Sequence, residues 1–101
     1  MDNYKVKTVK TNVLKYAKRI RIYYGEYETN SNLYIGLYTM NWECYCDITV
    51  NLGLELNKGL GYVKADSEAE AFINEQGIGE NLNKPIQSGF NTYNLYRFNM
   101  E

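Results

Sequence analysis

The 101-residue sequence contains no histidine, and this absence restricts the chemistry that the protein can perform. Histidine is the side chain that most often carries protons near neutral pH, and it is the commonest metal ligand. The two cysteines, Cys44 and Cys46, are too few to form a structural zinc site without histidine. The carboxylates are the remaining acid–base candidates, and none of them falls in a recognisable catalytic motif. The sequence therefore predicts a protein without catalytic residues, cofactor or metal.

Long apolar segments are also missing. No apolar run approaches the ~18 residues that a membrane-spanning helix needs. Residues 1–7, MDNYKVK, lack the apolar stretch of a signal peptide. The chain has a single proline and no low-complexity tract. We therefore expect one folded domain over residues 1–101, located in the cytoplasm and not bound to a membrane. Such a location favours reduced cysteines.

The chain is rich in tyrosine, with eleven tyrosines among its 101 residues. Tyrosine is common at contact surfaces, because its ring offers a large apolar area while its hydroxyl can remain hydrated. The composition therefore favours function by binding over function by catalysis.

The charges are unevenly distributed, although the net charge is −1. Residues 1–25 contain seven basic residues and one acidic residue, a net charge of +6. The remaining residues contain four basic and eleven acidic residues, a net charge of −7. Two explanations are open: a basic surface that meets a polyanion, or pairing of the acidic and basic parts within the fold.

Apolar and polar residues alternate in several short segments, a pattern typical of half-buried β-strands. Residues 10–18 and 53–60 give no clear signal, and residues 81–89 are predicted to form a loop. Short links join the second, third and fourth strands, which favours an antiparallel meander. The predicted strands cover residues 4–9, 19–24, 33–38, 43–52, 61–64 and 93–98.

One helix is predicted at about residues 67–76. Ser67 followed by Glu70 forms a capping box at its start, and Gly77 with Ile78 is typical of a helix end. Ala69, Phe72 and Ile73 share one helical face. The predicted fold is therefore α+β: one antiparallel meander sheet of about five or six strands, with this helix packed on one face.

The outer face of the meander is the candidate site. Alternation in the strand 43–52 places Cys44 and Cys46 on the inner side, buried and reduced against Phe72, and Tyr45 on the outer side. The neighbouring strands add arginine and tyrosine to the outer side. The candidate partner-binding residues are Arg19, Arg21, Tyr23, Tyr34, Tyr38, Trp42 and Tyr45.

Three uses of this outer face remain open. Tyrosine, tryptophan and arginine are the residues that dominate binding energy at protein interfaces. Aromatic rings beside arginine can also stack on the bases of single-stranded nucleic acid. Alternatively, cross-strand tyrosine pairs simply stabilise a half-exposed sheet.

Several short segments in the later half of the chain resemble a known family. They are Thr49–Leu52, Gly77–Gly79, and Ser88–Phe90 followed by Tyr93. Together they resemble the domain of unknown function numbered 4313. Asn94 departs from the family pattern, in which proline follows the tyrosine.

The resemblance, which extends over residues 18–99, implies no established activity and no catalytic residues. It does imply a setting, because that family occurs in low-GC Gram-positive bacteria, their phages and their mobile elements. Small accessory proteins of such elements often inhibit host defence, including CRISPR nucleases.

Composition and resemblance together lead us to expect a non-enzymatic binding protein from a phage or mobile element. We expect it to inhibit a host defence complex, in the manner of an anti-CRISPR protein, by contact with a host nuclease complex. One alternative is a small module that binds single-stranded nucleic acid through the arginine and tyrosine face. A second alternative is a homodimerising accessory protein.

Overall fold

The computed structural model describes residues 5–99, which form two antiparallel β-sheets and one helix. The predicted α+β class is therefore confirmed. Tyr4, which was predicted to open the first strand, lies outside the described residues. The elements are β1 (Lys5–Lys10), β2 (Arg19–Glu26), β3 (Leu33–Tyr38), β4 (Cys44–Asp47), β5 (Leu60–Lys64), α1 (Glu68–Gln76), β6 (Gly79–Ser88) and β7 (Asn91–Phe98).

The first sheet is a four-stranded meander in the order β1-β2-β3-β4. Alternation along β2 and β3 turns one face towards the core, where Ile20, Ile22, Ile35 and Leu37 are fully buried. The edge strand β1 is mostly exposed and carries lysines, which discourage pairing with another chain. The predicted antiparallel meander of the second, third and fourth strands is therefore confirmed.

The prediction of a single sheet of five or six strands is wrong, because β5, β7 and β6 form a separate three-stranded sheet. Strand β6 includes most of the segment that was predicted to be a loop. Its polar sequence does not alternate, and the pairing of β6 with β7 is interrupted between Asn81 and Pro85. Asn83 has a positive φ of 58° within this irregularity. Proline is tolerated here because β6 is an edge strand.

The chain leaves the first sheet immediately after β4, so the predicted strand 43–52 ends early. The amides of Ile48 and Thr49 both donate to the carbonyl of Ile35, at 2.8 and 3.3 Å, which bends the chain. Val50 then forms an isolated antiparallel bridge with Tyr62 of the second sheet. One segment therefore contributes to both sheets.

The helix α1 begins and ends as predicted. Ser67 is the N-cap, and its hydroxyl accepts a hydrogen bond from the amide of Glu70 at 3.3 Å. Gly77 adopts the left-handed conformation at the other end, with φ of 65°, and its amide donates to the carbonyl of Ile73. Phe72 and Ile73 are fully buried. They belong to one hydrophobic core that α1 shares with both sheets.

Residues 11–18, whose conformation the sequence left open, form a loop tied to α1. One carboxylate oxygen of Glu75 accepts a hydrogen bond from the hydroxyl of Thr11 and the other accepts one from the amide of Asn12, both at 2.6 Å. These bonds hold the pKa of Glu75 below its ordinary value. Glu68 accepts a further hydrogen bond from the amide of Lys15. The basic and acidic parts of the chain therefore meet through backbone amides and a hydroxyl, and the Lys15 and Lys18 side chains remain exposed.

Candidate functional site

The outer face of the first sheet carries a continuous row of aromatic rings. We define the aromatic face as Tyr23, Tyr27, Tyr34, Tyr38 and Trp42. Neighbouring ring centroids along the row are separated by 5.3 to 6.0 Å. The ring planes are inclined to one another by 45 to 78°, as expected for tilted and edge-to-face aromatic pairs.

Two glycines allow the tyrosine rings to lie flat on the sheet. Tyr34 covers Gly36, so that a Cβ atom added at Gly36 would lie 2.1 Å from the Tyr34 hydroxyl oxygen. Tyr23 covers Gly25 in the same way, with 2.9 Å between an added Cβ atom and a ring carbon. The strand register also places Tyr23 opposite Gly36 and Tyr34 opposite Gly25. An aromatic ring over a glycine offsets the weak packing that glycine otherwise brings to a strand.

The hydroxyl groups of the aromatic face form a hydrogen-bonded chain. The Tyr34 and Tyr38 hydroxyl oxygens are 2.7 Å apart, and the Tyr34 hydroxyl donates to a carboxylate oxygen of Asp47 at 2.8 Å. Burial, together with these bonds, raises the pKa of Tyr34 above its ordinary value. The rings are therefore fixed both by packing and by polar contacts.

Trp42 closes the row at the turn between β3 and β4. Its amide donates to the carbonyl of Thr39 at 2.9 Å, and the amide of Thr39 donates to the carbonyl of Glu43 at 2.8 Å. In such turns the third residue has a positive φ and is usually glycine or asparagine. Trp42 has φ of 64° there, although a bulky residue seldom adopts this conformation. The Trp42 side chain is 49% exposed.

Arg21 lies behind the tryptophan. Its guanidinium carbon is 4.6 Å from the centre of the indole ring, which is a cation–π distance. The guanidinium also donates to the carbonyl of Met40 at 3.3 Å. These two contacts orient the indole ring relative to the sheet.

The structure brings five of the predicted site residues together: Arg21, Tyr23, Tyr34, Tyr38 and Trp42. Arg19 lies on the same side of β2, two residues before Arg21, and faces Lys10 across the β1–β2 pair. Arg19 and Lys10 therefore form a basic end of the first sheet, next to the aromatic face.

The placement of Tyr45 on the outer face is wrong. Tyr38 pairs with Cys44 and Leu37 pairs with Cys46, so Tyr45 is the additional residue of a β-bulge. The bulge turns the Tyr45 side chain towards the helix, where its hydroxyl donates to Glu68 at 3.2 Å. It also accepts a hydrogen bond from the amide of Tyr16 at 3.1 Å.

The same bulge separates the two cysteines. Cys44 is exposed on the outer side, with its sulfur 4.0 Å from a carboxylate oxygen of Asp47, so the prediction that both thiols are buried is wrong. Cys46 is half-buried against the core, and burial raises its pKa to about 11. Burial and Asp47 raise the pKa of Cys44 as well.

The two thiols should therefore differ in reactivity. Thiolate is the reactive form, and a pKa of about 11 leaves roughly one Cys46 in a thousand ionised at pH 8. We expect a maleimide to label Cys44 at least about tenfold faster than Cys46 in the native protein. Peptide mass spectrometry over time measures both rates, and a Cys44→Ser variant isolates the slow site. Equal rates would show that the bulge is absent.

Sequence reasoning missed two members of the site. Tyr27 lies beyond the predicted second strand, yet it packs against Tyr34, and its hydroxyl donates to the carbonyl of Thr49 at 3.0 Å. Asp47, which the sequence analysis did not single out, accepts the hydrogen bond from the Tyr34 hydroxyl. The repeated pattern of tyrosine followed two residues later by glycine, at residues 23–25 and 34–36, was the signal that could have identified the flat rings.

No group of three or more cysteine, aspartate or glutamate side chains within residues 5–99 is arranged to hold a metal ion. Within the same range, the helix is too short and too polar to cross a membrane.

Comparison with known proteins assigns the chain to a family. The model of the domain of unknown function (DUF4313) matches residues 22–101, a range that includes the aromatic face. Searches of curated proteins and of solved structures found no match. Because the family model covers most of the sequence, the chain belongs to the DUF4313 family.

Proposed function

We propose that this protein is a non-enzymatic binding protein whose aromatic face contacts a protein partner. Trp42 carries the proposal, because its backbone conformation is unfavourable and its indole ring is half-exposed. A positive φ at such a residue costs about 1–3 kcal/mol, whereas the cation–π contact with Arg21 and the ring pair with Tyr38 together return about 1–2.5 kcal/mol. Contacts within the chain therefore do little more than offset the strain, and they leave half of the indole ring exposed, where a partner would contact it.

The aromatic face is also suited to binding because it is already ordered. Packing and hydrogen bonds fix the rings of Tyr34 and Tyr38 in the free protein. The ordering of interface side chains is a major cost of association. Because these rings are already ordered, binding requires little of this cost. Tyrosine and tryptophan rings of this kind supply most of the energy at many protein interfaces.

The family setting directs the choice of partner. Small proteins of phages and mobile elements often block host defence, and such inhibition needs no catalysis. We therefore propose that the partner is a host nuclease complex of the CRISPR type. Occupying one surface of such a complex is sufficient to inhibit it.

A second candidate function is supported by the basic residues beside Trp42. Lys10 and Arg19 face each other across the strand pair, and Arg21 stacks on the indole. Cations next to exposed aromatic rings are typical of single-stranded nucleic-acid sites. Binding of this type weakens steeply with salt because counterions are released, whereas an apolar protein contact weakens less.

Replacing Trp42 by glycine tests the proposal. Glycine relieves the unfavourable φ but loses the contacts of the indole ring with Arg21 and Tyr38, so the melting temperature should change little. Affinity for the partner should fall at least about tenfold, because the most exposed ring of the aromatic face is lost. Calorimetric titration against purified CRISPR effector complexes measures the affinity, and thermal unfolding measures the stability.

The matched control is Tyr16→Ala, which removes an aromatic ring that is 83% exposed in the loop 11–18, away from the aromatic face. It should leave affinity unchanged. Titration of a labelled single-stranded oligonucleotide at low and high salt tests the second candidate function, and sedimentation tests self-association. Full affinity of Trp42→Gly for every ligand that the wild type binds would overturn the proposed role of the aromatic face.

A further inference from the structure

A cleft of about 220 Å³ opens on another part of the molecule, where the end of the β2–β3 hairpin meets the turn before β5. Its lining includes Tyr24, Glu26, Leu33, Leu56 and Lys58. None of these belongs to the aromatic face, so the cleft is a separate feature.

The walls of the cleft are fixed by hydrogen bonds. The side-chain amide of Asn32, which is buried, donates to the carbonyl of Leu54 at 2.7 Å and accepts from the amide of Leu56 at 3.0 Å. A turn follows, in which the amide of Leu60 donates to the carbonyl of Asn57 at 3.1 Å. The cleft is therefore preformed, as ligand sites usually are.

Tyr24 forms part of the wall of this cleft. The residue is 6% exposed, and its hydroxyl makes no hydrogen bond to any residue between 5 and 99. The Lys5 ammonium lies 5.8 Å from the centre of the Tyr24 ring. The residue is buried, but its hydroxyl oxygen still reaches solvent, so it can donate a hydrogen bond to a ligand that enters the cleft.

Two charges of opposite sign also line the cleft. Glu26 and Lys58 are exposed, and neither forms an ion pair with another described residue. A ligand with one charge would be attracted by one of these groups and repelled by the other. A ligand with both charges can satisfy both groups.

We propose that this cleft binds a small zwitterion of the α-amino acid class. The ligand ammonium would face Glu26, and its carboxylate would face Lys58 and accept a hydrogen bond from the Tyr24 hydroxyl. An aliphatic side chain would pack against Leu33 and Leu56. This inference does not rest on the proposed function of the aromatic face.

Titration of ¹⁵N-labelled protein with leucine and its derivatives tests the proposal by NMR. Leucine should shift the amide signals of Gly25, Asn57 and Gly59, with a dissociation constant on the order of 1 mM or tighter. N-acetyl-leucine lacks the ammonium, leucinamide lacks the carboxylate, and N-acetyl-leucinamide lacks both. Each of the three should bind at least about tenfold more weakly, because a charge on the cleft is left without its partner.

Variants locate the site. Tyr24→Phe keeps the ring and removes the hydroxyl, and Lys58→Met removes the cation, so each should weaken leucine binding about tenfold. Tyr62→Phe and Lys64→Met make the same changes outside the cleft and should have no effect. Tyr24→Phe could fail to fold because Tyr24 is buried. Lys58→Met then tests the site alone, because Lys58 is exposed and its replacement should leave the fold intact. The proposal is overturned if no zwitterionic amino acid shifts these signals, or if N-acetyl-leucinamide binds as well as leucine.

Discussion

Glu70→Ala is expected to lower the free energy of unfolding by about 2–4 kcal/mol, far more than a surface glutamate normally contributes. One oxygen of the Glu70 carboxylate accepts a hydrogen bond from the amide of Asp66 at 2.9 Å. The other accepts from the Asn94 amide at 2.7 Å and from the Tyr96 hydroxyl at 2.9 Å. Tyr96 is 2% exposed, and burial, followed by this carboxylate, raises its pKa to about 12. Alanine therefore removes the charged acceptor of a buried hydroxyl as well as a helix cap.

Urea unfolding followed by circular dichroism measures this loss. Glu70→Gln keeps one acceptor oxygen and should lose about half as much. The control is Glu80→Ala, because Glu80 forms an exposed ion pair with Arg97 at 3.4 Å, and such pairs contribute less than about 1 kcal/mol. If Glu70→Ala and Glu80→Ala lose equal stability, the carboxylate does not link the helix to β7.

Gly36→Ala should destabilise the protein by about 1–3 kcal/mol, because it overpacks the aromatic face. In an ordinary strand interior, replacing glycine by alanine gains about 0.5–1 kcal/mol. Here the added Cβ atom would lie 2.1 Å from the Tyr34 hydroxyl oxygen and 2.7 Å from the ring carbon that bears it. The Tyr34 ring must move, and its hydrogen bonds to Tyr38 and Asp47 break.

A double-mutant cycle separates the clash with Tyr34 from any other effect of the Gly36→Ala change on stability. In a Tyr34→Ala background the main clash is absent, so Gly36→Ala should no longer destabilise the protein and should approach the ordinary gain of about 0.5–1 kcal/mol. Partner affinity, measured as for Trp42, should fall in the single Gly36→Ala variant, although that variant leaves every aromatic residue in place. Equal costs of Gly36→Ala in both backgrounds would show that Tyr34 does not lie over the glycine.

Local signals explain which parts of the fold could be predicted. Both ends of the helix are determined by nearby residues. Ser67 and Glu70 were therefore sufficient to predict its start, and Gly77 was sufficient to predict its end. Strands β2 and β3 alternate cleanly, because one face is buried by a single core. The clustering of Arg21, Tyr23, Tyr34 and Tyr38 follows directly from that alternation.

Non-local contacts explain the errors. The β-bulge depends on how β4 pairs with β3, and one additional residue reverses the side of Tyr45 and Cys44. Strand β6 forms because β7 offers it a partner, although its asparagines, Lys84 and Pro85 have low strand propensity. The segment after β4 joins the second sheet through the bridge between Val50 and Tyr62, a contact between distant residues that no short window of sequence reveals.

The order of strands in the second sheet bears on how the protein forms during synthesis. Strands β1 to β4 pair with neighbours in sequence, so the first sheet can assemble early. Strand β5 pairs with β7, which the ribosome makes after the helix and β6. Until β7 emerges, Glu70 lacks Asn94 and Tyr96, and the isoleucine-rich side of the first sheet lacks part of its cover. The nascent chain therefore passes through a stage with exposed apolar surface, when it is most open to aggregation or to capture by a chaperone.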